Sequence, residues 1–301
     1  MASLYRVLDP SEDITGLPLV AMLSGFSDAG STISQVSEHL FSQLDNELVI
    51  CFDNDQLLDY RSRRPVLFFE KDHIESYEPS TLAIYLLHDE ADQPFLLLDG
   101  YEPDFRWEGF ADAISALVDD YAIPSFTWIH AIPFPIPHTR AIGVTVSGNR
   151  SDMIDRFSEW KPQTQVPGNV VHLLEYRLAG RGIATAGFVL LVPHYIADNE
   201  VPAAAITALE MISAATGLVF PTDEIRDRNA AFLVKVTAQV EENPELQKLI
   251  STLEQGYSSG EGGPSKAPIG KPLAAPPSAD QIAEELENYL ATMRRNTDSE
   301  E

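Results

Sequence analysis

The chain alternates between short apolar runs and stretches in which apolar residues recur every three or four positions. The runs are four to ten residues long and predict buried strands. They cover residues 17–23, 48–52, 66–69, 82–87, 95–98, 126–132, 142–146 and 183–192. Between them, residues such as Ile33, Val36 and Leu40 share one face of a predicted helix. This alternation predicts an α/β fold, with a mixed, mostly parallel sheet and helices on both of its faces.

Local signals place the ends of several elements. Asn169 is a good cap for one helix, Gly217 is placed to end the next, and Asn243-Pro244 interrupts the last. The runs at 82–87 and 95–98 are separated by a turn-rich segment. They therefore predict an antiparallel hairpin within the sheet.

A change of composition near residue 257 divides the chain. Ten of the 22 residues from 256 to 277 are Gly or Pro, which helices and central strands tolerate poorly. We therefore assign 1–257 to one α/β body, 258–277 to a flexible linker, and 278–301 to an amphipathic helix with an acidic end. One face of that helix carries the apolar residues Ile282, Leu286, Leu290 and Met293. This face predicts docking on the body, on a sister subunit or on a foreign partner.

Charge and cysteine content exclude several classes of function. Forty-six acidic residues against 20 basic ones give a net charge of −26, which repels nucleic acid and anionic lipid. The longest apolar run is half of what a membrane span needs, and no signal peptide is visible. Cys51 is the single cysteine, so neither an intrachain disulfide nor a multi-cysteine metal site is expected. We expect a cytoplasmic protein that binds no nucleic acid and no membrane.

Side chains that carry chemistry follow several of the predicted strands. In an open α/β sheet, ligands gather beyond the carboxyl ends of the strands, so these positions are the candidate catalytic residues if the protein is an enzyme. They are Ser27, Asp28, Asp53, His138, Arg140 and His194. The same residues also have structural interpretations, as helix caps, turn formers or buried histidines.

The loop around Ser27 does not match a known catalytic or nucleotide-binding motif. Gly25-Phe26-Ser27-Asp28-Ala29 differs from the G-x-S-x-G nucleophile elbow at its last position. Gly25 and Gly30 do not complete a dinucleotide-binding motif, and no phosphate-loop lysine follows. No pair of histidines has metal-ligand spacing. We therefore expect no cofactor and no metal.

Arg61, Arg63 and Arg64 lie within four residues in a chain that has few basic residues. Their guanidinium groups suit an anion or an acidic partner. They also suit ion pairs with the acidic surface of the same chain or of a sister subunit. The sequence leaves these alternatives open.

Four segments in order carry a resemblance to a known family. They are Gly25–Gly30 (GFSDAG), Asp59–Pro65 (DYRSRRP), Pro137–Arg140 (PHTR) and Val192–Tyr195 (VPHY). Together they resemble the proteasome assembly chaperone 2 family in its bacterial, actinobacterial-type branch. The resemblance implies a fold similar to the nucleoside phosphorylase and hydrolase-like group, homo-oligomers with a trimer favoured by analogy, and no established catalytic residues. Archaeal members that bind the proteasome have a hydrophobic–Tyr–any residue C-terminus, and the end of this sequence, Asp298–Glu301, departs from that pattern.

Two functions follow as alternatives. The first is a non-enzymatic assembly or protein-interaction factor with a protein partner, which an exposed apolar surface would indicate. The second is a small-molecule hydrolase or phosphorylase-like enzyme. That alternative requires the Asp, His and Arg residues at the strand ends to converge in one cavity.

Overall fold

A computed structural model describes residues 3–161 and 163–259, which, apart from Gln163–Gln165, form one compact unit. The strands are β1 (Tyr5–Val7), β2 (Leu19–Ser24), β3 (Asn46–Phe52), β4 (Val66–Glu70), β5 (His73–Glu78), β6 (Leu82–His88), β7 (Pro94–Tyr101), β8 (Ser125–Phe134), β9 (Gly143–Gly148) and β10 (Ala184–Pro193). The helices are α1 (Thr32–Gln43), α2 (Asn54–Leu57), α3 (Trp107–Asp120), α4 (Ser151–Phe157), α5 (Val170–Gly180), α6 (Pro202–Thr216), α7 (Asp223–Glu242) and α8 (Pro244–Ser259). No helix in the described part of the chain is long and apolar enough to cross a membrane.

Eight strands form one mixed, mostly parallel sheet in the order β1-β3-β6-β7-β2-β8-β10-β9. β2 pairs in parallel with both β7 and β8, and β8 pairs in parallel with β10. β6 runs antiparallel to both β7 and β3, so β3 has the direction of the parallel set. β1 and β9 are the antiparallel edge strands. Five strands therefore end at the same edge of the sheet.

Helices cover both faces of this sheet, as the sequence predicts. Successive residues of a strand point to opposite faces, and those of β2 alternate between two separate apolar cores. Val20 and Met22 pack in the core that contains the inner faces of α1 and α6. Leu19 and Ala21 pack in the core that contains α3 and α5. β2 is thus buried from both sides, which explains its uninterrupted apolar sequence.

Most elements agree with the apolar pattern, including the antiparallel β6–β7 pair and the break at Asn243-Pro244. Strands β1 and β5 and the short helices α2 and α4 are not apparent from the pattern. α8 continues to Ser259, so its last turn enters the segment assigned to the linker. The rest of that segment and the predicted helix with Ile282, Leu286, Leu290 and Met293 lie outside the described residues.

The apolar run 66–69 differs most from expectation. It forms β4, which pairs with β5 in a separate two-stranded sheet instead of joining the main one. A buried strand is the usual interpretation of such a run. Here six large apolar side chains are between 49 and 67% exposed. They are Val66, Leu67, Phe68, Phe69, Ile74 and Tyr77, and we call this element the β4–β5 hairpin.

Gly187 provides a test of the packing between β8 and β10. It lies opposite Trp128 in the parallel register, and a Cβ at Gly187 would approach the indole ring to 2.2 Å. We expect Gly187→Ala to lower the free energy of unfolding by ~3 kcal/mol or more, because the buried ring would have to move. Gly180→Ala is the control, since no atom lies within 4 Å of a Cβ there. Urea unfolding of both variants tests the prediction, and equal stabilities would contradict it.

Candidate functional site

The carboxyl ends of β3, β7, β2, β8 and β10 define one edge of the sheet, and all six candidate catalytic residues follow strands of this set. The strand order still separates them. Asp53 follows β3, which lies three strands from β2, or about 14 Å at the usual strand spacing. The loops after β2, β8 and β10 are neighbours. The structure therefore brings five candidates to one region and leaves Asp53 apart.

Ser27, Asp28 and His194 line one open depression of about 250 Å³, together with Pro133 and Asp198. The loop after β2 is held against the loop after β10 by two backbone hydrogen bonds. Gly30 N donates to Ala197 O at 2.6 Å, and Val201 N donates to Gly30 O at 2.9 Å. Two of the four family-like segments therefore meet here.

The carboxylate of Asp28 is engaged at the start of α1. It accepts hydrogen bonds from Ile33 N at 2.8 Å, from Ser34 N at 3.2 Å and from Ser34 Oγ at 2.9 Å. These are donors of the first helical turn, which have no partner within the helix. Asp53 has the same role at α2, where it accepts from Asp55 N at 3.0 Å. Both carboxylates act as helix caps.

His138 is bound to the loop after β10 through Tyr195. The backbone N–H of His138 donates to Tyr195 Oη at 2.7 Å, and the same hydroxyl lies 2.6 Å from His138 Nδ1. Burial lowers the pKa of His138, against the opposing effect of Glu254, and burial raises the pKa of Tyr195 to about 12. His138 is therefore a half-buried imidazole in a fixed position, held by a neutral phenol.

Arg140 is bound to α8. Its guanidinium donates to Glu254 Oε2 from Nε at 3.0 Å and from Nη2 at 2.7 Å, and it also lies 5.3 Å from the ring centroid of Tyr257. Thr139 Oγ1 donates to the other oxygen of Glu254. The third family-like segment thus anchors the last described helix to the sheet edge.

Arg63 occupies the opposite side of the loop after β2. Its Nη1 donates to Asp104 Oδ2 at 2.7 Å and to the carbonyl of Glu102 at 3.1 Å. The guanidinium also lies over the ring of Tyr101. Gly25 has a φ of +132°, which favours glycine, and a Cβ there would also lie 2.7 Å from Arg63 Nη2. The guanidinium of Arg63 therefore has a structural role at this edge of the sheet.

The other two arginines of the cluster differ from Arg63. Arg61 and Arg64 are exposed, and their side chains form no hydrogen bond or ion pair with the described residues. Of the three arginines in this cluster, Arg61 and Arg64 therefore have guanidinium groups that can bind a further partner.

A buried histidine near the same loop is not apparent from the sequence analysis. His130 of β8 is 3% exposed, and its Nε2 has no hydrogen-bond partner among the described residues. Its ring stacks on that of Phe26, with centroids 5.2 Å apart and planes 24° apart. Burial, with a smaller contribution from His172, lowers the pKa of His130 to about 4. The available signal was a histidine within the apolar run 126–132.

The chemistry that this edge offers is limited by these contacts. None of the six candidates hydrogen-bonds to another, whereas general acid–base catalysis needs two groups within direct or one-water reach. In the described part of the chain, no three His, Cys, Asp or Glu side chains are placed to hold a metal ion. Each of the four family-like segments thus makes polar contacts at this edge, either with another segment, as His138 does with Tyr195, or with neighbouring residues, as Arg63 does with Asp104.

Comparisons with known proteins show the family to which the chain belongs. A model of the PAC2 family matches residues 22–240, which confirms the resemblance. Rv2714 of Mycobacterium tuberculosis, of unknown function, is 36% identical with a TM-score of 0.80, over 86% of this chain and 90% of that one. A protein of unknown function from Corynebacterium glutamicum is 33% identical with a TM-score of 0.81, over 86% and 98%.

A third structure shares the fold at lower identity. It is the proteasome-assembly chaperone homologue Rv2125 of Mycobacterium tuberculosis, 22% identical with a TM-score of 0.71, over 78% of this chain and all of that one (100%). None of the curated proteins matches the chain.

His130 gives a prediction about pH dependence. Its pKa is about 4 in the folded chain and near 6.5 when unfolded, so the unfolded state binds the proton more readily. The free energy of unfolding should therefore fall by up to about 3 kcal/mol as the pH falls from 6.5 to 4. In His130→Phe, stability should fall less over this range than in the native protein.

The pKa of Asp99 is shifted in the direction that makes the folded chain more stable at low pH, opposite to the effect of His130. Burial raises the pKa of Asp99 to about 6, against a hydrogen bond from Ser37, so the folded state gains stability as the pH falls from 6 towards 4. Asp99→Asn should therefore lose more stability on acidification than the native protein. Urea unfolding at several pH values measures both effects. The quantity to compare is the change in the free energy of unfolding with pH within each variant, and not its value at one pH. Slopes equal to that of the native protein would contradict these assignments.

Proposed function

Because this chain belongs to the PAC2 family, we propose that it is a non-enzymatic assembly factor that acts on other proteins as a homo-oligomer. The name of the fold neighbour Rv2125 supports a role in protein assembly. Two relatives above 30% identity come from bacteria, which supports a bacterial origin for this chain. We also propose that it works in the cytoplasm. The proposed oligomer is a trimer.

The β4–β5 hairpin is the observation that carries the proposal. Six large apolar side chains on two short strands are about half exposed or more. Leu67 lies opposite Tyr77, and Phe69 lies opposite Ile74, so these side chains cluster in cross-strand pairs. A two-stranded hairpin is marginal in water on its own, and a contiguous apolar patch is typical of a binding surface. We assign the hairpin to contact with a second copy of the chain.

Charge complementarity favours a second copy as the occupant. Arg61 and Arg64 lie five and two residues before the start of β4 and have no side-chain partner among the described residues. Any neighbouring copy carries the same net charge of −26. Two unpaired cations beside an apolar hairpin would meet an acidic surface there, which supports association and orients it.

The enzymatic alternative is supported less well. A catalytic role would need Asp28, His138 or Arg140 to be free to act on a substrate. Asp28 instead caps α1, Arg140 binds α8, and His138 holds Tyr195. These contacts support the non-enzymatic proposal.

The oligomer is tested by replacing two exposed hairpin residues. We expect the native protein to scatter light as a species of three times the 33.2 kDa chain mass, and Leu67→Lys/Phe69→Lys to be a monomer. Both positions are exposed, so the variant should keep its fold. Tyr176→Lys, at a side chain 81% exposed on α5, is the control and should keep the native mass. A monomeric native protein, or a double variant of native mass, would contradict the assignment.

The assembly role needs a separate measurement. We expect the protein to accelerate particle formation from purified proteasome subunits of the same organism, followed by native electrophoresis. The monomeric hairpin variant should accelerate it less. An unchanged rate and yield with the native protein would contradict this role, whatever the result for the oligomer.

A further inference from the structure

A second cavity lies between α7 and the segment that links β10 to α6. Its volume is about 480 Å³, within the range of small-molecule sites, about 300–1,000 Å³. Its walls include Ile196, Glu200 and Pro202 on one side and Arg228, Phe232, Lys235 and Val236 of α7 on the other. We call it the α7 cavity. None of the six candidate catalytic residues lines it.

One face of α7 forms a wall of mixed chemistry. The α7 residues of the cavity recur at spacings of three and four, so they share a single helix face. Phe232 and Val236 form the apolar middle of this face, and Ile196 and Pro202 stand on the opposite wall. Arg228 and Lys235 lie seven residues apart, one on each side of Phe232. The cavity thus combines an apolar interior with two cations.

These cations have no ion-pair partner in the described part of the chain. Arg228 Nε is enclosed from solvent and has no hydrogen-bond partner among the described residues. Neither Arg228 nor Lys235 forms an ion pair there, whereas Arg226, two residues before Arg228, pairs with Glu210 at 3.0 Å. A buried donor without an acceptor is destabilising. Such a cost is expected where a ligand supplies the acceptor.

The net charge of the cavity lining indicates how many negative charges a ligand should carry, and Glu200 contributes to it. Glu200 is the carboxylate among the lining residues, so the two cations leave the cavity with one net positive charge. A ligand with one carboxylate neutralises that charge. A second carboxylate would face Glu200 and the acidic surface of the whole chain without a cation to balance it.

We propose that the α7 cavity binds a small organic acid with one carboxylate and an apolar body. The carboxylate accepts hydrogen bonds from the guanidinium of Arg228, and Lys235 adds attraction at the exposed end. The apolar body packs on Phe232, Val236 and Ile196. This site is independent of the proposed assembly role, since it does not include the β4–β5 hairpin.

The experiment uses octanoate and octanamide, which share an alkyl chain and differ in charge. Isothermal titration of the full chain should show one octanoate per chain. Octanamide should bind at least about tenfold more weakly, because it cannot form a charged hydrogen bond with Arg228. Hexanoate should bind several-fold more weakly than octanoate, about two- to fourfold for each methylene lost.

Variants on the same helix locate the site. Arg228→Gln should weaken octanoate binding at least about tenfold, while the matched control Arg226→Gln should leave it unchanged. Lys235 is exposed, so Lys235→Gln should fold normally and weaken binding several-fold, and it tests the site even if Arg228→Gln fails to fold. Three results would overturn the proposal: equal binding of octanoate and octanamide, unchanged binding in Lys235→Gln or a folded Arg228→Gln, or no saturable binding of octanoate at millimolar concentration.

Discussion

The parallel pairing of β2 with both β7 and β8 is the constraint on which the rest of the structure depends. The first five residues of β2 are buried on both faces, so they favour apolar side chains and a single register. From β2 the chain fills one half of the sheet, returns to β2 as β7, and then crosses to the other half through α3 and β8. This reversal brings the loops after β2, β8 and β10 together at one edge. β2 lies between the two halves of the sheet, so the family-like segments from both halves approach each other at the edge beside it.

The polar residues of these segments have a structural explanation. A helix cap such as Asp28 contributes about 1 kcal/mol, and an exposed pair such as Arg140–Glu254 contributes less. Each contact is weak alone, but together they order the loops after β2, β8 and β10 and fix the second half of α8 against them. Substitution of these residues would therefore disturb the edge itself. Loss of a measured activity in such a variant would not by itself identify a catalytic group, unless the fold of that variant were also measured.

The sequence predicts the main sheet and its helices well because their signals are local. The apolar runs of β2 and β10, the cap at Asn169 and the stop at Gly217 each follow from a few neighbouring residues. Strand order is not local, so the sequence cannot show that Asp53 lies three strands away from Asp28. It also cannot show that His130 is stacked under Phe26. The prediction that residues 66–69 form a buried strand of the main sheet is wrong for a related reason. An apolar run predicts burial, but it does not show whether the surface that covers it belongs to the same chain.

The large negative charge of the chain opposes the non-specific association that the exposed hairpin would otherwise favour. An apolar patch on a two-stranded sheet favours non-specific association, and an open strand edge adds to that tendency. Mutual repulsion between chains of net charge −26 opposes random encounters at every orientation. Arg61 and Arg64 reduce that repulsion locally, beside the hairpin. In the proposed oligomer, the barrier to contact is therefore lower beside the hairpin than elsewhere on the acidic surface, and this difference favours the orientation in which the hairpin is buried.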